Sequence, residues 1–114
     1  MRAVPLSEEA VREKIGEMVR RVVRETHPVQ VILFGSHATG HARLDSDVDL
    51  MVVVRDGSDV RATTVLLYRL LAGMGVPKDL VVVTAGDFER LKDIPGTVMY
   101  VAHREGRVLY GDSS

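Results

Sequence analysis

Cysteine is missing from this 114-residue chain, which excludes disulfides, thiolate zinc sites and thiol nucleophiles. Aromatic residues are scarce: Phe34, Phe88 and three tyrosines supply no platform for stacking bases of a single strand. An excess of charge is missing as well. The 15 basic and 16 acidic side chains sum to −1, so no long-range field draws the chain to nucleic acid or to a membrane, although a local basic patch stays open. No apolar run reaches the roughly 18 residues of a membrane helix. The opening MRAVPLSEEAV also lacks the apolar core of a signal peptide, so a soluble cytoplasmic protein is expected. What is present is 46% hydrophobic, enough for one domain over residues 1–114 with its own core and a loose tail at 111–114.

Periodicity orders the chain. Ser7 is a fitting N-cap, with Glu8 and Glu9 placed for the helix dipole. Val11, Ile15, Met18, Val19, Val22 and Val23 recur at helical spacing, predicting a first helix from Glu8 to Glu25 that closes before His27-Pro28. Val29 to Phe34 is apolar on both sides, as a central strand is. A second strand continues from Asp47-Val48-Asp49 through Leu50 to Val54. Ser58 or Asp56 is expected to cap the next helix, which carries Val60, Thr64, Leu67 and Leu71 as its stripe and closes at Gly73 and Gly75. Leu80 to Val83 is a third strand. Short helices over Asp87–Leu91 and Thr97–His103 precede a last strand at Arg107–Tyr110. The order α-β-(loop)-β-α-β-α-α-β describes an α/β (α+β) fold, a small mixed sheet with helices packed against it.

Chemistry concentrates between Val31 and Val54. Residues two apart on a strand share a face, with Cα atoms roughly 6.6 Å apart. Asp47 and Asp49 therefore project together while Val48 and Leu50 enter the core. Clustered carboxylates at the end of an apolar strand repel one another and lose solvation, a penalty that a divalent cation reverses. Asp79 opens the third strand directly before a valine run. If strands two and three are neighbours it joins the pair, and three carboxylates suffice for two metals about 3.5–4 Å apart, as in-line phosphoryl transfer uses. Gly35 lets the backbone approach a ligand closely, and Ser36 offers a hydroxyl and an amide where a helix can begin, which suits phosphate. Gly40 permits a second turn, and Thr39 and Ser46 add hydroxyls.

Simpler readings exist for each piece. A glycine–serine pair after a strand is commonly a turn, and Asp45-Ser46-Asp47 by itself is commonly a solvated loop. Asp45, Asp47 and Asp49 imitate the first ligands of a calcium loop, but Leu50 replaces its glycine and Asp56 stands where glutamate is required. A Walker loop is excluded by the missing Gly-Lys-Ser/Thr ending.

Taken jointly, Gly35-Ser36, Gly40 and Ser46-Asp47-Val48-Asp49-Leu50 resemble the G-S-x(3)-G-x(5)-S-D-x-D-L signature of the polymerase-β-like nucleotidyltransferase superfamily. The size and the ending Arg104-Glu105-Gly106-Arg107-Val108-Leu109-Tyr110 are similar to the minimal nucleotidyltransferases (MNT) of the HEPN/MNT toxin–antitoxin type. The resemblance implies that Asp47, Asp49 and Asp79 are the catalytic, metal-binding aspartates, holding Mg²⁺ (two ions, or Mn²⁺ in its place). It implies that Gly35 and Ser36 hold the triphosphate of ATP. Members transfer a nucleoside monophosphate, commonly AMP, to a hydroxyl and release pyrophosphate. Many minimal members are paired with a helical HEPN protein, an RNase-type toxin, and some act as its antitoxin by adding AMP to a toxin tyrosine. Inactive members lack part of the aspartate set; this chain has all three. Asp79, not needed for the triphosphate, is the one placed to activate the acceptor hydroxyl.

The expected function is thus transfer of AMP from ATP to a tyrosine of a HEPN partner. Two alternatives stand beside it: an antitoxin that neutralises the partner by covering it, and transfer to a small-molecule hydroxyl, which generally needs a further helical domain. Arg43 and Ser46 are candidate nucleotide contacts, with Lys78 behind Arg43. His37 and His41 lie in the phosphate loop, and His103 lies on a late helix where a helix-dipole contact and a partner surface are equally open.

Overall fold

Ser7 does begin the first helix: its side chain accepts the amide of Ala10 at 3.1 Å, satisfying one of the donors that a helix start leaves without a partner. The computed structural model describes residues 7–43 and 45–112. Helix α1 spans Glu8–Thr26 and stops at His27, whose φ of 45° is the left-handed cap conformation, its amide returning to the Val23 carbonyl. Then come β1 (Gln30–Phe34), the one-turn helix α2 (Ser36–Thr39), β2 (Val48–Val54), α3 (Val60–Leu70), β3 (Lys78–Thr84), α4 (Ala85–Leu91), α5 (Val98–Glu105) and β4 (Arg107–Tyr110). The anticipated α/β order holds, with the one-turn helix α2 inside the stretch given as a loop. The cap of α3 differs: Asp59, not Ser58 or Asp56, accepts the Ala62 amide at 3.0 Å. Asp56 instead reaches the amide of Gly86 at 2.8 Å, tying the β2–α3 turn to the first turn of α4.

The four strands form one mixed sheet in the order β3-β2-β1-β4. β1 runs antiparallel to β2 and to β4, whereas β2 and β3 are parallel and joined through α3. Strand alternation divides the core in two. One face presents Val31, Leu33, Val48, Leu50, Val52, Leu80 and Val82 to α1 and α3, which contribute Val11, Ile15, Met18, Val22, Leu67 and Leu71. The other presents Ile32, Phe34, Met51 and Val53 to Phe88 of α4 and to Met99 and Ala102 of α5. Both faces of the central strands are covered, which explains why β1 and β2 read as unbroken apolar runs. Burying side chains such as Met18, Leu50, Met51 and Leu67 completely contributes about 1.5–3 kcal/mol each.

A loose tail is expected over residues 111–114. Gln30 donates from its side chain to the carbonyl of Asp112, and residues 113–114 lie outside the described residues. Among the described residues no helix is long and apolar enough to cross a membrane.

Candidate active site at the sheet edge

The parallel pairing of β2 with β3 sets Asp49 directly opposite Asp79. Val48, Leu50 and Leu80 turn toward α1 and α3, so both aspartates project from the opposite face, about 4.8 Å apart across the strand spacing. That face is covered by α4 and α5 over Ile32, Phe34, Met51, Val53, Val81 and Val83. At the Asp49 end it opens, leaving Asp49 half-buried and Asp79 exposed. The condition on which the third carboxylate depended is met.

Gly35 closes the other side. β1 ends with Phe34 opposite Asp49, so Gly35 follows beside the same carboxylate. A side chain at Gly35 would run into it, with a Cβ only 3.1 Å from the Asp49 Cγ and closer still to Oδ2. Its φ of 73° and ψ of −157° are open to glycine alone. The glycine is thus required twice, by backbone conformation and by the cradle it forms. Ser36 opens α2 as foreseen, and its carbonyl accepts the His41 amide.

Asp47 lies one residue ahead of β2 and is exposed, near enough for its charge to act on Asp49. The Asp49 carboxyl is held above the ordinary aspartate range, first by burial, then by the charges of Asp79 and Asp47, with His37 opposing. His37 is half-buried, and its Nε2 meets the Ser46 carbonyl at 3.0 Å; a carbonyl only accepts, so Nε2 carries the proton. Ser46 folds its own loop back, its hydroxyl accepting the Arg43 amide at 2.8 Å.

Arg43 lines a groove of about 670 Å³ with Arg12, Leu33, His37, Gly40 and Arg107. Lys78 alternates with Asp79 along β3, and its ammonium donates to the Val76 carbonyl at 3.1 Å. His41 pairs with Thr39 on the loop, and His103 lies edge-on to Phe88. A residue not foreseen from the sequence does touch the acid pair: the Tyr68 hydroxyl donates to Asp79 Oδ1 at 3.1 Å. Its position, one past Leu67 in the stripe of α3, offered no signal.

The donor set is all carboxylate oxygen, the chemistry that hard divalent cations take, and the raised Asp49 carboxyl together with the Gly35 cradle shows negative charge gathered there. Among the described residues no three acidic or histidine side chains already converge as ligands. One oxygen of Asp79 is taken up by Tyr68.

The carboxylates of Asp49 and Asp79 thus stand beside a glycine–serine turn at the open edge of a mixed α/β sheet. The sequence profile of the nucleotidyltransferase domain matches residues 15–103, most of the chain, and the chain belongs to that family of nucleotidyl-transferring enzymes. Family members act on nucleoside triphosphates with divalent cations. No curated protein sequence matches significantly. Solved structures share the fold. A protein from Sulfolobus solfataricus designated a nucleotidyltransferase superposes with a TM-score of 0.59 at 17% identity, over 98% of this chain and 96% of its own. A toxin–antitoxin structure with AMP-PNP gives 0.58 at 22% identity, over 84% of this chain and 73% of its own. A mutant of the toxin–antitoxin MntA–HpeT carrying two aspartate-to-glutamate changes gives 0.59 at 21%, with the same coverage.

Proposed function

We propose that this chain, as a single minimal nucleotidyltransferase domain of the MNT type working in the cytoplasm, transfers AMP from ATP to a tyrosine hydroxyl of a HEPN toxin and thereby acts as its antitoxin. The register pairing of Asp49 with Asp79, with Gly35 against Asp49, is the observation that carries the reading. Two fold relatives are toxin–antitoxin structures, and one of them holds AMP-PNP. In the mutant relative the two altered aspartates stand two positions apart, as Asp47 and Asp49 do.

In this reading Asp47, Asp49 and Asp79 hold Mg²⁺, two ions, or Mn²⁺ in its place. Bound there, the cation neutralises charge developing on the α-phosphoryl oxygens. Gly35 admits the triphosphate close to the backbone, and Ser36 contacts it through hydroxyl and amide. Asp79, the most exposed of the strand-borne pair, accepts the proton of the incoming tyrosine as the new P–O bond forms and pyrophosphate leaves. Ser46 and Arg43 contact the nucleotide, Ser46 also shaping the loop that carries Asp47.

The test is incubation with ATP labelled in its α-phosphate, Mg²⁺ and the co-encoded neighbour. Label moves to the neighbour with the native chain and not with Asp47→Asn. A chain that protected cells equally well with Asp47 and Asp49 both changed to asparagine would act by contact, and the chemical reading would be wrong.

A further inference from the structure

We propose that Tyr68 is a positioning residue for Asp79, holding one carboxylate oxygen so that the other is presented to the cation. The inference rests on the reading of Asp79 as a cation ligand. β3 is an edge strand, and the Leu80 amide on it points outward, where it donates to the Tyr68 hydroxyl at 2.9 Å. An amide can only donate, so the hydroxyl accepts there and its single proton goes to Asp79 Oδ1, 3.1 Å away. The tyrosine is therefore pinned at both ends: by backbone through Leu80, and through Leu67, its fully buried neighbour on α3.

Asp79 needs such a partner. It is exposed, so packing does not fix its side chain. A hydrogen bond from a hydroxyl set by the backbone fixes it at one oxygen and leaves Oδ2 to serve as ligand. Hydrogen-bond partners of metal ligands typically govern affinity by about 10- to 100-fold.

Mn²⁺ binding to the nucleotide-free protein, followed by the electron paramagnetic resonance of the free ion, separates the possibilities. Asp79→Asn should weaken binding, Tyr68→Phe should weaken it about 10-fold, and the double variant should bind like Asp79→Asn alone. Thermal unfolding of each variant checks that it is folded. If Asp79→Asn weakens binding while Tyr68→Phe binds as tightly as the native chain, or more tightly, Tyr68 does not position the carboxylate. If Asp79→Asn itself binds like the native chain, the ligand reading on which the inference rests has failed, and the inference with it.

Discussion

Replacing Gly35 with alanine tests the site at its tightest point. Two costs add. The backbone at φ 73° and ψ −157° lies in a region that side-chain-bearing residues reach only with strain of about 1–3 kcal/mol. The new methyl group then collides with the Asp49 carboxylate, 3.1 Å from its Cγ. Asp49 is half-buried and can rotate, so displacement adds only about 1 kcal/mol. The sum, about 2–4 kcal/mol, lowers the melting temperature of a domain this size by about 8–16 °C. The effect on activity is larger, because a displacement of about 1 Å at a reacting group costs on the order of 100-fold in rate. Gly40→Ala is the control: its φ of 81° is also left-handed, but a Cβ there meets nothing within 4 Å. That variant should lose about 1–2 kcal/mol and keep its nucleotidyl transfer. The comparison needs only thermal unfolding and a transfer assay on both proteins. If Gly35→Ala matches Gly40→Ala in both, Gly35 does not cradle Asp49 and the described geometry is wrong.

Asp49→Asn should stabilise the metal-free protein at neutral pH. The folded carboxyl is raised, so the folded state binds more protons than the unfolded one between the two values, and native stability falls as pH rises through that window. The advantage of the asparagine variant should therefore vanish below the ordinary aspartate value of about 4, which denaturant titrations at acid and neutral pH will show. Asp59→Ala removes the cap of α3 and should cost about 1 kcal/mol in the same titrations. Leu67→Ala opens the core where α3 meets the sheet and should cost about 2–5 kcal/mol, lowering the denaturant midpoint without changing the slope.

The elements were legible because each is written locally. Valine-rich runs between turn residues gave β1 and β2, the stripe from Val11 to Val22 gave α1, and glycine followed by serine marked the start of α2. The aspartates of the motif were legible for the same reason, since residues two apart along an extended segment share a face. Relations between distant segments were not. Which strand lies beside β2 decides whether Asp79 reaches Asp49, and only the parallel register through α3 settles it. Asp56 appeared as a cap for the helix after it, yet it binds Gly86, 30 residues on, while the adjacent Asp59 takes the cap. Arg43 is close to the carboxylates in sequence, but that it shares a groove with Arg12 of α1 and Arg107 of β4 is known only from the fold. Tyr68 gave no sign at all, because its partner amide and carboxylate belong to a strand ten or more residues away.

Mass spectrometry of the co-encoded partner after incubation with the chain, ATP and Mg²⁺ bears most directly on the central claim. The partner should carry AMP on a tyrosine when the native chain is used and none when Asp47→Asn replaces it. An unmodified partner in both reactions would contradict the account, and so would equal modification in both.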